Sequence, residues 1–209
     1  MTNDFRMSYF MPPIAPIKNE LGRIVTPATL IPSCEVSVEQ VFQMITCNEN
    51  LKILTEQVRN SGDIRTAKAS LLPYVTPCGT FSRRNSKCFV ASSHLVVVDI
   101  DHLDSYQEAV EMRNTLFNDH LLRPVLTFIS PSGRGVKAFV PYEHLPMAND
   151  TNSIIENMKL AMMFTVLLYG TEAPPPFGEK RKGVDFSGKD IVRSCFLSHD
   201  PGALFRNSK

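Results

Sequence analysis

The spacing of apolar and polar residues predicts three helices in the first third of the chain, after a proline-rich start. Residues 1–34 hold five prolines and little periodicity, which indicates an extended arm whose order depends on docking. Ser37 and Gln40 have the spacing of a capping box, and apolar residues follow at helical intervals, so we expect a helix to begin there. A second helical stretch is expected over residues 51–58, and a third is stopped by Pro73.

Strand patterns dominate the middle of the chain. Residues 79–90 have the pattern of two short strands around a polar turn. Residues 94–101, HLVVVDID, are continuously apolar up to their carboxylates, which is typical of a central strand buried on both faces. Residues 123–130 and 135–142 are separated only by the turn PSGR and should pair antiparallel. The last strand is expected over residues 191–198, in the same sheet.

Two further helical patterns complete the predicted architecture, over residues 104–120 and 151–170. From Leu95 the elements run strand, helix, strand, strand, helix, strand. This order predicts an α+β fold of the RRM-like, ferredoxin-like βαββαβ type, with helices on one face of an antiparallel sheet and the other face available for chemistry. The predicted divisions are a Pro-rich arm at 1–34, a helical and hairpin N-terminal module at 35–92, and the RRM-like core at 93–209.

Composition narrows the class of protein. With 209 residues, of which 43% are apolar, the chain can bury a core. The formal net charge of +1 argues against a chain-wide basic field and leaves any nucleic-acid binding to local patches. The five cysteines lack zinc-ligand spacing, and no apolar run reaches the roughly 18 residues needed to cross a bilayer. We therefore expect a cytoplasmic protein without a membrane partner.

Two carboxylates end the most apolar strand. Asp99 and Asp101 are two residues apart and should project from the same face. Carboxylates that close repel each other unless a cation lies between them, and Mg²⁺ prefers such oxygen ligands. The alternative is a strand that ends in a solvated turn, with Asp104 as a helix N-cap.

A glycine-containing turn precedes a strand that carries a lysine. The segment SPSGRGVK can bring backbone N–H groups close to an anion, Arg134 adds a planar fork, and Lys137 adds a point charge. The alternative is a plain hairpin turn, with the lysine on an outward strand face. As a phosphate site, the segment would contribute Ser132, Gly133, Arg134, Gly135 and Lys137.

A third segment supplies one more acid and one more base. Asp185 follows a proline-rich loop, and Arg193 lies in the last predicted strand. Three carboxylates around a metal, with cations directed at phosphates, are typical of phosphoryl- and nucleotidyl-transfer sites. The alternative is that these are three unrelated surface turns.

Four segments together resemble a known family. VVVDID, SPSGRGVKAFV and VDFSGKDIVRSCFLSHDP, preceded by AKASLLPYVTPCGTFSRR, resemble the VirE amino-terminal-like domains of bacterial mobile-element proteins. That family is similar to the catalytic core of archaeo-eukaryotic primases and primase-polymerases. The resemblance covers residues 64–201 and implies an RRM-like catalytic sheet in which Asp99, Asp101 and Asp185 bind Mg²⁺ or Mn²⁺.

The same resemblance bears on the cationic residues. It implies that Arg193 contacts a triphosphate, and it aligns SGRGVK with a primase pattern that ends in a nucleotide-contacting histidine. Here that position is Lys137, a departure that puts polymerase activity in question. Members of the family resemble the front end of longer proteins, so a helicase or other replication module is an expected partner.

Several other residues are candidates for binding. Arg83, Arg84 and Lys87, interleaved with Phe81 and Phe89, could follow a nucleic-acid backbone while an aromatic ring stacks on a base, or could form a solvated hairpin. The basic loop at 179–182 could close over a triphosphate or remain solvated. Three histidines near the predicted strands are candidate ligands, although structural roles are more common: His94, His102 and His199.

Three functional hypotheses follow. The first is a primase-polymerase-like domain that binds a nucleoside triphosphate and divalent metal, and joins nucleotides on a single-stranded or primer-template DNA during mobile-element replication. The second is a catalytically inactive nucleic-acid-binding or adaptor module, motivated by Lys137 and the near-neutral charge. The third is a DxD-type phosphatase, which needs a parallel sheet.

Overall fold

The computed structural model describes residues 5–142, 151–170 and 182–207. The helices are α1 (Val38–Cys47), α2 (Glu49–Arg59), α3 (Ile64–Leu71), α4 (Tyr106–Phe117) and α5 (Thr151–Tyr169). The strands are β1 (Arg6–Phe10), β2 (Ile17–Lys18), β3 (Ile24–Thr26), β4 (Cys34–Ser37), β5 (Tyr74–Thr76), β6 (Gly79–Phe81), β7 (Phe89–Ser92), β8 (Leu95–Asp101), β9 (Leu126–Ile129), β10 (Val136–Pro141), β11 (Gly183–Val184), β12 (Cys195–Phe196) and β13 (Leu204–Phe205). The predicted α+β class with antiparallel sheets is confirmed.

Side-chain caps begin the helices. The predicted capping box is present, because Ser37 Oγ accepts from Gln40 N at 3.2 Å and Gln40 Oε1 accepts from Ser37 N at 2.9 Å. Asn48, which interrupts the first helical pattern, caps α2 by accepting from Leu51 N at 2.8 Å. The cap of α4 is Ser105, one residue after the position that the sequence alternative assigned to it.

The start of the chain is a core strand. β1 pairs with β4 and β5 in a four-stranded antiparallel sheet of order β12-β5-β1-β4. Met7 and Phe10, on this strand, are fully buried. The expected proline-rich arm is therefore docked through β1, whose apolar side chains give it a buried surface, whereas apolar side chains of the β2–β3 hairpin region, such as Leu21 and Ile24, are exposed.

A five-stranded antiparallel sheet has the order β11-β8-β10-β9-β13. One of its faces, formed by alternate residues such as Val96, Val98 and Ala138, packs in a cluster with Ala109 of α4 and Met158 of α5. Both long helices therefore cover the same face. Among the described residues, no helix has the length and apolar content required to cross a bilayer.

The opposite face was expected to be open, and most of it is covered. Val97 and Phe139 pack in a second cluster with Val41 of α1 and Val58 of α2. This cluster runs from Phe5 to Ala203, so the predicted boundaries at residues 34 and 92 do not separate its hydrophobic core. Among the described strand residues of this face, the charged side chains lie at its end, beyond Val97 and Phe139.

The last predicted strand is wrong in length and in position. Only Cys195–Phe196 is a strand, and it pairs with β5 in the other sheet, while β11 takes the place beside β8. The cause is a turn at Asp190, whose side chain accepts from Val192 N at 3.1 Å and whose carbonyl accepts from Arg193 N at 2.9 Å. Arg193 consequently lies in a connection and not on a strand.

Candidate metal centre

Three carboxylates from separate segments lie together at the charged end of the sheet. Asp99 and Asp101 project from β8, and Asp185 follows β11, where its N–H donates to the Asp99 carbonyl at 2.8 Å. Each residue offers one oxygen, and these oxygens all lie within 4.8 Å of one another. Pairing of β11 with β8 is thus what brings the third carboxylate to the first two.

Two cations contact these carboxylates directly. Lys137 faces Asp99 across the β8 and β10 pair, and its ammonium donates to Asp99 Oδ2. Arg193 Nη2 lies 2.6 Å from Asp185 Oδ2 and 3.6 Å from Asp99 Oδ2. Burial disfavours the charged form of Lys137, but the combined negative charge around it, to which Asp99 contributes most, raises the Lys137 pKa above its ordinary value. Of the three cations expected at phosphate, Lys137 and Arg193 are therefore engaged by carboxylates here.

Lys137 and Arg193 do not contact every carboxylate oxygen of Asp99 and Asp101. Asp99 is only 4% exposed, and its Oδ1 is buried with no hydrogen-bond partner among the described residues. Burial, followed by the charge of Asp99, raises the pKa of Asp101. Burial alone would also raise the pKa of Asp185, but hydrogen bonds from Ser187 and Arg193 hold it below its ordinary value. Since Mg²⁺ and Mn²⁺ prefer oxygen ligands, the unpaired oxygen and the raised pKa fit a divalent cation at Asp99 and Asp101.

The glycine-containing turn closes on itself beside these carboxylates. Ser130 N donates to the Gly135 carbonyl at 2.8 Å, and Gly133 N donates to the Ser130 carbonyl at 2.9 Å. Arg134 N donates to Ser132 Oγ at 3.3 Å. Two N–H groups of the expected anion nest are therefore used within the turn. Gly133 has φ +73°, a conformation that a residue with a side chain adopts only with strain.

Gly135 packs closely against the end of β8, and we expect Gly135→Ala to destabilise the protein at this contact. A Cβ here would lie 2.7 Å from the Ile100 carbonyl oxygen and 2.9 Å from Asp101 Oδ1. The variant should lose about 1–3 kcal/mol of unfolding free energy, measured by denaturant titration. Gly62→Ala is the control, because a Cβ there meets nothing within 4 Å. Equal stability of Gly135→Ala and the wild type would contradict this packing.

A cleft of about 470 Å³ opens next to Asp101. The turn and the end of β8 form one side, and α3 forms the other. The sequence predicted roles for Ser132, Arg134 and Asp101. It did not indicate Arg65 and Lys68 of α3, although their spacing of three residues places them on one helix face. Nothing in the sequence indicated that α3 lies beside the sheet. The lining residues are Ile64, Arg65, Lys68, Asp101, His102, Ser132 and Arg134.

The hairpin candidates lie outside the lining of this cleft. Arg84 has a structural role, because its Nη2 donates to the Ile14 carbonyl at 2.8 Å and its guanidinium lies over the Tyr74 ring. Phe81 is buried against Phe89, so its ring is not available to stack on a base. Arg83 and Lys87 are exposed.

The remaining candidates divide similarly. His102 lines the cleft, whereas the His94 ring contacts Tyr142 and the backbone N–H of His199 donates to Thr55 Oγ1 at 2.8 Å, so both lie outside its lining. Of the basic loop, residues 179–181 lie outside the described part of the chain. Lys182 forms ion pairs with the carboxylates of Asp104 and Glu108.

Comparison with known protein families gives a match. A protein-family model described as BT4734-like, N-terminal domain, matches residues 66–205, which contain the three carboxylates, the turn and Lys68. No curated protein and no solved structure matches the chain.

Proposed function

The chain belongs to the family of BT4734-like N-terminal domains, and we propose that its matched region binds a nucleoside triphosphate with Mg²⁺ or Mn²⁺ as a primase-polymerase-like domain. The observation that carries the proposal is the convergence of Asp99, Asp101 and Asp185, with one buried Asp99 oxygen unpaired. These residues would hold the metal. When bound, a divalent ion supplies the charge neutralisation on which phosphoryl and nucleotidyl transfer depend.

The strand order supports an RRM-like core. Counted from β8, four of the described strands run 4-1-3-2 across the sheet, and β13 adds a fifth strand at the β9 edge. The 4-1-3-2 order, with α4 and α5 on one face, is the one expected for the βαββαβ arrangement. This topology favours the proposed kinship with VirE amino-terminal-like domains and archaeo-eukaryotic primases. All strand pairs described are antiparallel, which argues against the phosphatase hypothesis.

The chain's own residues have separable roles in this proposal. Lys137 and Arg193 offset part of the carboxylate charge and hold Asp99 and Asp185 in place by direct contact. Coverage of the sheet by the N-terminal segment keeps Asp99 away from bulk water, which strengthens every charge interaction there. Ser132 and Arg134, in the cleft next to Asp101, would contact the phosphates.

The most direct test is Mn²⁺ binding by Asp101→Asn, measured by electron paramagnetic resonance with and without a non-hydrolysable triphosphate. Asp101 makes no side-chain hydrogen bond or ion pair among the described residues, so this variant removes a charge without breaking a contact. We expect Mn²⁺ affinity to fall at least about tenfold, and the exposed Asp104→Asn to bind like the wild type. Absence of Mn²⁺ binding by the wild type would reject the metal site. Turnover is tested separately, by primer extension and dinucleotide synthesis.

A second function has its own supporting observation. Because Lys137 already contacts Asp99, part of the carboxylate charge is satisfied without metal, as a nucleic-acid-binding or adaptor module without turnover would require. Such a module would bind single-stranded or primer-template DNA, beside a helicase or other replication partner. Metal-independent, salt-sensitive DNA binding without nucleotide incorporation would favour it.

A further inference from the structure

The cleft beside the metal centre is lined by cations on two sides. Arg65 and Lys68 come from α3, and Arg134 comes from the turn between β9 and β10. Asp101 is the only carboxylate among the lining residues, so the cleft carries net positive charge and touches the metal centre at one end. Its volume lies within the roughly 300–1,000 Å³ typical of pockets for small ligands.

These cations are free to bind an anion. Lys68 is half-buried, and within the described part of the chain its ammonium makes no hydrogen bond or ion pair and lies only over the Phe196 ring. Arg134 donates from Nε to the Leu103 carbonyl at 2.8 Å, which holds the guanidinium while its two terminal nitrogens have no described acceptor. By contrast, Lys137 and Arg193 are engaged by carboxylates.

The environment of Lys68 itself favours an anionic ligand. Burial, together with repulsion from Lys137, lowers the Lys68 pKa, and the charges of Asp101 and Asp99 offset this only in part. A half-buried ammonium without an acceptor is costly, and a phosphate group placed beside it would supply the missing negative charge and acceptor oxygens.

We propose that Arg65 and Lys68, with Arg134 opposite them, bind the phosphate chain of the nucleoside triphosphate. The assignment rests on the proposed nucleotide function and identifies α3 as the element that supplies two of the three cations at the phosphates. It replaces Lys137 and Arg193 as the phosphate contacts, because those two side chains already neutralise the carboxylates.

The test uses inorganic tripolyphosphate and pyrophosphate as probes, with binding measured by calorimetry in metal-free buffer. The wild type should bind tripolyphosphate more tightly than pyrophosphate. Lys68→Met should weaken tripolyphosphate binding about tenfold or more, because it removes a charge-assisted contact, and Arg65→Met should weaken it measurably for the same reason. Lys52→Met removes one charge from α2 outside the cleft and should bind within about twofold of the wild type.

Three results would overturn the assignment. They are no tripolyphosphate binding by the wild type, equal tripolyphosphate binding by Lys68→Met and Lys52→Met, or variants that weaken binding of a single-stranded oligothymidylate but not of tripolyphosphate. Thermal unfolding of each variant verifies that it is folded. Mn²⁺ binding measured without any phosphate separates the proposed metal centre from the proposed phosphate site. Lys68→Met should still bind Mn²⁺, so loss of the phosphate site alone leaves the metal centre intact, whereas a wild type that binds tripolyphosphate but no Mn²⁺ would reject only the metal centre.

Discussion

Replacement of Lys137 by methionine should lower the free energy of unfolding by about 3–5 kcal/mol in metal-free protein, as expected when one partner of a buried ion pair is removed. The side chains of Lys137 and Asp99 are 9% and 6% exposed, so water cannot solvate the carboxylate that is left. Methionine preserves most of the side-chain volume, which confines the change to charge. Denaturant titration measures the loss.

Added Mn²⁺ makes this experiment specific to the metal centre. A divalent ion at Asp99 would replace the missing positive charge, so Mn²⁺ should restore more stability to Lys137→Met than it adds to the wild type. The double variant Lys137→Met/Asp99→Asn removes both charges and should be more stable than Lys137→Met alone. A metal-free Lys137→Met as stable as the wild type, or a Mn²⁺ effect equal in both proteins, would contradict the proposed coupling.

Local sequence signals predicted several elements because short-range contacts determine them. The capping box at Ser37 fixes the start of α1, and the continuous apolar run before Asp99 identifies β8 as a central strand. Because side chains alternate along a strand, the two-residue spacing of Asp99 and Asp101 placed both carboxylates on the same face. For the same reason, the antiparallel pairing of β9 with β10 was readable from the short turn between them.

Features that depend on long-range packing could not be predicted in the same way. Lys137 was expected at a phosphate, but its strand register places it opposite Asp99, and that register is set only when β8 and β10 pair. The docking of α3 beside the turn depends on the core shared by the N-terminal segment and the sheet, so Lys68 was missed. A hydrogen bond from Val192 N to the Asp190 side chain redirects the chain before β12, and the apolar pattern of residues 191–198 does not reveal it.

A second buried ion pair holds the C-terminal segment against the sheet, and Asp200→Ala should also cost about 3–5 kcal/mol of unfolding free energy. The Asp200 carboxylate accepts from Arg113 Nη1 at 2.9 and 3.0 Å, from Ile129 N at 2.9 Å and from Gly202 N at 3.0 Å. Its loss would leave the buried Arg113 without a carboxylate partner, with only its described bonds to Asn114 Oδ1, and the Ile129 N–H at the end of β9 without its acceptor. Denaturant titration again gives the measurement.

The surface pair of Asp104 and Lys182 provides the matched control. Its N–O distance of 2.9 Å is comparable, but the Asp104 side chain is 80% exposed. Asp104→Ala should therefore change stability little, because water solvates the Lys182 ammonium that is left. The double variant Arg113→Met/Asp200→Ala should recover part of the loss, since it removes the uncompensated charge but not the unpaired Ile129 N–H. Equal effects of the buried and the exposed replacement would mean that Arg113 finds water or another acceptor. In that case the ion pair would not be what fixes the segment after β12 to β9.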